Sequence, residues 1–167
     1  MLKFIIVMCW FASSLSAQIL KDQKAPDFTL PDLEGNHYRL YDNLGKEALL
    51  ITFWATWCTP CIEEMKALKP MFEKYAPRGL EVVSISVDDP KTVGRVGGFV
   101  NSRKFPYKIL LDTNNEIMQL YQTTMPPFSV LLDREGRIVY THTGYRKGDE
   151  VELESHVADL LSSSATP

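Results

Sequence analysis

The most constraining feature of the sequence is a junction at residues 48–61, where an apolar run meets two closely spaced cysteines. Ala48 to Ala55 is rich in apolar residues and predicts a buried β-strand. Cys58 and Cys61 follow, with Pro60 between them, and proline suits the first turn of a helix because its missing N–H needs no partner there. Apolar residues then recur at helical spacing: Ile62, Met65, Leu68, Phe72 and Tyr75. Two thiols therefore lie where a strand ends and a helix begins.

Strand and helix patterns alternate along the rest of the chain, which predicts a central sheet with helices on both faces. Further strands are predicted at 80–87, 107–111, 128–132 and 137–143, helices at 91–104, 116–121 and from Asp149 onward, and a hairpin around Glu34-Gly35-Asn36. The tight turn between the last two strands makes them antiparallel, so the sheet is expected to be mixed. Pro70 is expected to kink or split the helix after the cysteines. The 167 residues, 45% hydrophobic, suit one globular domain, and a net charge of −3 gives no case for nucleic-acid binding.

Residues 1–17 are interpreted as a secretory signal peptide. Lys3 provides the positive start, Phe4 to Ala12 is apolar, and small residues lead to Ala17. The apolar run is shorter than the roughly 20 residues that span a bilayer, and an uncleaved membrane anchor is the alternative. Cleavage would leave one domain at 18–162, a disordered tail at 163–167 and a periplasmic or other extracytoplasmic location.

The two cysteines of the predicted mature chain suit thiol–disulfide exchange. A thiolate is the attacking species, and the N-terminus of a helix favours it through unpaired N–H groups and a partial positive charge. We expect Cys58 to be the exposed nucleophile, and Cys61, one turn into the helix, to resolve the mixed disulfide. A structural zinc site needs four ligands, and no second cysteine pair or suitably spaced histidine pair accompanies them. We therefore expect no metal, and no cofactor beyond the Cys58–Cys61 disulfide.

The run Phe53-Trp54-Ala55-Thr56-Trp57-Cys58-Thr59-Pro60-Cys61 resembles the active-site signature of thioredoxin-like proteins. The segment Ala25-Pro26-Asp27-Phe28-Thr29-Leu30 is similar to the opening of the exported TlpA/ResA-like branch of that superfamily. The resemblance covers roughly residues 25–162. It implies an α/β thioredoxin fold, a central mixed β-sheet flanked by helices, with an N-terminal β-hairpin and an inserted helix.

The resemblance also implies roles for residues around the cysteines. Pro127 maps to a proline with a cis peptide bond beside the disulfide, which offers backbone to the substrate. Its neighbour Pro126 has no N–H, so a substrate main chain would lose one hydrogen bond there. We expect Trp57 to be a partly exposed shield beside Cys58 and Trp54 to be a buried anchor.

Proton transfer is where the sequence departs from the commonest family pattern. Thioredoxins proper carry a buried aspartate at the position of Thr52, and a hydroxyl is a poor proton acceptor for Cys61. The resemblance makes Asp89 a candidate acceptor, with a turn or cap residue before Pro90 as the alternative. Glu63 and Glu64 are interpreted as acids that complement the helix dipole.

The resemblance implies a protein-disulfide reductase that is recharged by a membrane thiol electron donor and acts as a monomer. Apocytochrome c, which would place the protein in cytochrome c maturation, a disulfide isomerase and a metal-centre protein are candidate substrates. A peroxiredoxin-like peroxidase, a copper-delivery module and a non-catalytic thioredoxin-fold domain are the alternatives. The spacing of Thr56 and Cys58 and the lack of a preceding proline argue against the first, and the two-residue spacing of the cysteines argues against the second.

Overall fold

A computed structural model describes residues 22–163, so the predicted signal peptide and residues 164–167 lie outside the described part. The chain opens with the predicted hairpin, in which β1 (Thr29–Pro31) pairs antiparallel with β2 (His37–Arg39). The other strands are β3 (Ala48–Trp54), β4 (Leu80–Ser86), β5 (Lys108–Leu111), β6 (Phe128–Asp133) and β7 (Ile138–Thr143). The helices are α1 (Thr59–Tyr75), α2 (Val96–Arg103), α3 (Glu116–Leu120) and α4 (Asp149–Ser163).

Strands β3 to β7 form one mixed sheet in the order β5-β4-β3-β6-β7. β3 pairs in parallel with β4, and β4 with β5, whereas β6 is antiparallel to both β3 and β7. The central position of β3 explains its sequence, because every residue of a strand that is covered on both faces is buried. The thioredoxin-like fold expected from the sequence is confirmed.

The two faces of the sheet carry different elements. α1 and α4 contact each other and both contact β3, so they cover one face together. The opposite face is marked by Phe53, whose ring contacts those of Tyr121, just after α3, and Phe128. Tyr121 in turn contacts Phe28, beside the hairpin. Both faces of the sheet are therefore covered, and α1, which follows the first cysteine, packs on one of them.

One row of residues crosses three strands beneath α1 and α4. Thr52 of β3 is the direct partner of Ser129 in β6, and Ser129 is the direct partner of His142 in β7. Residues opposite each other on paired strands point to the same face of a sheet. We call Thr52, Ser129 and His142 the polar row.

α1 runs through Pro70 as a single helix, so of the two expected effects of this proline, a kink or a split, the split does not occur. Proline removes the hydrogen bond to the carbonyl four residues earlier, here that of Lys66. Both Pro70 and Lys66 are exposed, so water can satisfy that carbonyl. Among residues 22–163, no helix is both long and apolar enough to cross a bilayer.

Candidate active site around the cysteine pair

The cysteines lie where the sequence places them, at the junction of β3 and α1. Cys58 is the residue before the first turn of α1, and it forms a disulfide with Cys61, whose Cα lies 5.3 Å away. The Cys61 N–H donates to the Cys58 Sγ over 3.3 Å. Pro60 occupies the first turn, where no backbone donor is required. The helix therefore presents its partial positive end to the sulfur of Cys58.

The exposures of the two cysteines differ in the expected order, but Cys58 is less exposed than expected. Cys58 is 5% exposed and Cys61 is 0% exposed. Trp57, the residue before Cys58, is 61% exposed. Trp54 is fully buried and packs against Phe99 of α2, as expected for an anchor. A partner disulfide can reach only a narrow opening at Cys58.

A proline pair lies near the first turn of α1. The Pro126–Pro127 peptide bond is cis, which confirms the geometry expected from the resemblance. A groove joins this pair to the first turn of α1; its lining includes Pro60, Pro126, Pro127, His142 and Tyr145. The Pro127 carbonyl accepts from Gly144 N–H at 2.8 Å, so it is engaged within the domain. We call this depression the proline groove.

A buried glutamate behind the cysteines was not expected from the sequence. Glu64 is 3% exposed, and the first turn of α1 contains no acidic residue, so the predicted role of an acid that complements the helix dipole is wrong for this residue. Thr52 Oγ1 donates to one carboxyl oxygen at 3.1 Å, and Ser129 Oγ donates to the other at 2.7 Å. Burial raises the pKa of Glu64 to about 7, although both hydroxyl donors act in the opposite direction. Thr52 thus supports an acid from α1 in the place where thioredoxins proper carry the acid itself.

The spacing of α1 could have identified Glu64. Residues three apart lie on the same side of a helix, and Glu64 follows Cys61 by three. Both side chains are buried, and α1 covers the face of the polar row. The site therefore contains a carboxyl group on the same buried side of α1 as the resolving cysteine.

Asp89 does not occupy the place predicted for a proton acceptor of Cys61. It is exposed, and its carboxylate accepts from the N–H groups of Lys91 and Thr92. These bonds lower its pKa, led by the bond from Lys91. A carboxylate with a lowered pKa is a weaker base, so Asp89 is the turn residue that was the alternative reading.

The preceding residue, Asp88, is the buried acid of this segment. Its carboxylate accepts from the Thr56 N–H at 2.8 Å, from the Thr56 hydroxyl and from Ser86 Oγ at 2.9 Å. Thr56 lies two residues before Cys58, so Asp88 ties the loop that carries the nucleophile to the end of β4. Within residues 22–163, no cluster of three His, Cys, Asp or Glu side chains could hold a metal ion.

Comparisons with known proteins agree with this geometry. The sequence profile of the AhpC/TSA family matches residues 22–141. The thiol-disulfide oxidoreductase ResA of Bacillus thuringiensis (strain Al Hakam) is 31% identical over 149 residues, which cover 89% of this chain and 83% of that protein. ResA of Geobacillus kaustophilus (strain HTA426) is 32% identical over 133 residues, covering 78% of this chain and 75% of that protein.

A solved structure shows the same likeness in three dimensions. The crystal structure of a protein from Chlorobium tepidum, described as a thiol:disulfide interchange protein DsbE, superimposes with a TM-score of 0.78 at 31% identity. The match covers 84% of this chain and 97% of that one.

Proposed function

Because this chain belongs to the AhpC/TSA family and is a thiol–disulfide oxidoreductase, we propose that it reduces disulfides of partner proteins. The Cys58 thiolate attacks one sulfur of the substrate disulfide and forms a mixed disulfide, and the other substrate sulfur leaves as a thiolate. Cys61 then attacks Cys58, which frees the second substrate sulfur and leaves the Cys58–Cys61 disulfide. Two electrons pass to the substrate, and its two sulfurs take up two protons.

The placement of Cys58 at the start of α1 carries this proposal. The Cys61 N–H points at the Cys58 sulfur, and the helix end adds a partial positive charge. Both stabilise the thiolate more than the disulfide, so they favour Cys58 as the nucleophile. The deeper position of Cys61 protects it from direct attack by substrate.

Glu64 supplies the base that the second step needs. Cys61 must lose its proton before it can attack, and it has no exposed surface. A carboxyl group with a pKa of about 7 is matched to proton exchange near neutral pH. In this proposal Glu64 accepts the Cys61 proton, in place of Asp89.

The direction of electron flow and the cellular setting complete the proposal. We place the enzyme outside the cytoplasm on the strength of the signal-like residues 1–17, with a membrane thiol donor that restores its dithiol. Trp57 and the proline groove would contact the substrate protein. Pro126 offers that substrate a carbonyl acceptor but no N–H donor. The domain would act as a monomer and need no cofactor beyond its own disulfide.

An insulin-reduction assay tests the nucleophile. Cys58→Ala should abolish reduction, whereas Cys61→Ala should trap a mixed disulfide with the substrate, because the resolving thiol is missing. Full activity in the Cys58→Ala variant would refute the assignment. Peroxide turnover by the purified protein would instead support the peroxidase alternative.

The reduction potential of the Cys58–Cys61 couple tests the direction. On the known scale, a value well below about −200 mV marks a reductant and one near about −120 mV marks an oxidant. A value near the second figure would overturn the reductase proposal while leaving thiol–disulfide exchange intact.

A further inference from the structure

The polar row continues past the residues that bind Glu64. Thr52 and Ser129 donate to its carboxyl group, and the next member of the row, His142, lies on the outer strand β7. His142 is close enough to contribute favourably to the charged form of Glu64. The row therefore leads from the buried carboxyl group toward the edge of the sheet.

A small cavity lies between Glu64 and this histidine. Its lining includes Glu64, Ser129, Tyr140, His142 and Tyr145, and it has room for about one water molecule. The Tyr140 hydroxyl is closed off from solvent and has no hydrogen-bond partner within residues 22–163. A buried hydroxyl that lacks a partner is costly, and a water in this cavity would satisfy it. Such a water would form a polar step between the carboxyl group and His142.

His142 also faces the proline groove. It lines both the cavity and the groove, together with Tyr145 and Asp149. Its Nε2 lies 3.1 Å from the Asp149 carboxylate at the start of α4, and both side chains are partly exposed. Of these three side chains, only histidine both gains and loses a proton readily near neutral pH.

We propose that His142, with Tyr140 and one water molecule, relays the Cys61 proton from Glu64 to the proline groove. The relay rests on the proposed function, in which Glu64 takes that proton when Cys61 attacks Cys58. Glu64 passes it through the water to one ring nitrogen of His142, and the other nitrogen releases its proton to the groove. The substrate sulfur that leaves Cys58 as a thiolate takes up a proton there. Glu64 and His142 end the step with the charges they began with, although the ring proton of His142 now lies on its other nitrogen. The proton lost by Cys61 equals the one gained by the product.

The relay has a clear advantage while substrate is bound. A substrate protein seated over Cys58 and Pro127 covers the opening beside the cysteines, and Cys61 itself has no exposed surface. The route through His142 of β7 instead joins the buried cavity to the proline groove. The proton therefore arrives where the product thiolate forms without crossing the covered opening.

Several other charged and titratable groups surround the route and set its pH range. From α4, Asp149 and Glu150 face the cavity, and the centroid of the His156 ring lies 4.6 Å from that of the Tyr140 ring. From the loop before α4, Arg146 lines the groove, and Tyr145 donates to Glu150 at 2.8 Å. The hydrogen bond from the Arg146 N–H, and then that with His142, lower the pKa of Asp149. Burial raises the pKa of Glu64 to about 7, so the relay is expected to work best near neutral pH, where Glu64 both gains and loses a proton.

Rapid-mixing kinetics of the reduced protein with a disulfide peptide test the relay. The first phase reports attack by Cys58, and the second reports resolution by Cys61. His142→Gln should slow the second phase about tenfold near pH 7, and the first phase much less, since His142 has no part in the attack by Cys58. A direct acid–base group is worth at least ~100-fold, and the smaller loss is expected here because water takes over in part. Added imidazole should restore much of the loss. Tyr140→Phe, which removes only the hydroxyl, should slow the same phase.

His156→Gln is the matched control, because His156 touches the Tyr140 ring but lines neither the cavity nor the groove. It should resolve at the wild-type rate across pH 5–9. A His142→Gln variant with wild-type resolution and pH profile would overturn the relay, as would a loss that imidazole leaves unchanged. Glu64→Gln in the same assay separates the two ideas. If Glu64→Gln resolves slowly and His142→Gln does not, only the relay is refuted. If Glu64→Gln resolves at the wild-type rate, the role of Glu64 in the proposed function is refuted.

Discussion

Burial of Glu64 should make the stability of the oxidised protein depend on pH in an unusual direction. Its pKa is raised from 4.5 to about 7 in the folded protein. Between these values the unfolded chain ionises this group while the folded protein keeps it neutral. The folded state then binds more protons, so the free energy of unfolding falls as pH rises. Below about pH 4.5 the penalty is absent, and above about pH 7 it is complete.

The size of the effect follows from the two pKa values. Each unit of difference is worth about 1.4 kcal/mol, so the difference between 4.5 and about 7 corresponds to about 3 kcal/mol. Glu64→Gln keeps the shape of the side chain but cannot ionise. The difference in unfolding free energy between the variant and the wild type should therefore shift by about 3 kcal/mol in favour of the variant between pH 4 and pH 8.

Urea denaturation of both oxidised proteins at several pH values measures this shift. Comparing the two proteins cancels other titrating groups, such as Asp149, whose lowered pKa acts at more acidic pH in both. Glu63→Gln is the matched control, since Glu63 is adjacent but exposed, and its difference from the wild type should stay constant with pH. A constant difference for Glu64→Gln as well would refute the reasoning that burial holds this carboxyl group neutral.

Two further substitutions test the loop and the groove. Asp88→Asn removes a charged acceptor from Thr56 and should lower the unfolding free energy by about 1–3 kcal/mol and slow insulin reduction, because the loop carrying Cys58 loses its tie to β4. Asp89→Asn, at the neighbouring exposed position, is the control for Asp88→Asn. If the two variants melted at the same temperature and reduced insulin at the same rate, the role of Asp88 in holding the loop would be contradicted. Pro126→Ala adds an N–H beside the groove and should lower KM for a disulfide peptide about fivefold, the equivalent of about 1 kcal/mol for one hydrogen bond. An unchanged or higher KM would show that substrate main chain does not bind there.

The strands and the active-site helix could be predicted from the sequence because their signals are local. The apolar run of β3 and the helical spacing after Cys61 both reflect burial within one element. Pro70 misled the prediction of α1, since a proline on the exposed side loses a carbonyl partner to water rather than breaking the helix. The local patterns therefore predicted these elements, whereas the prediction overestimated the effect of Pro70, which lies on the surface.

The environment of Glu64 could not be read from the sequence, because it depends on distant residues. Ser129, its closer donor at 2.7 Å, is 65 positions away, and only the β3–β6 register brings the two together. Asp88 and Asp89 are adjacent, so identifying the buried acid of this segment requires placing it to within one residue. Ser84, Ser86 and Asp88 share one side by the two-residue period of a strand, and that parity would have favoured Asp88.

The missing N–H of Pro126 bears on how long the enzyme stays with each partner. A reductase works catalytically only if the reduced product departs before the next encounter. A main-chain hydrogen bond that is never formed need not be broken, so about 1 kcal/mol less holds the product in place. We expect this proline to shorten the residence time of the product. Pro126 would therefore weaken substrate binding and raise the rate of product release.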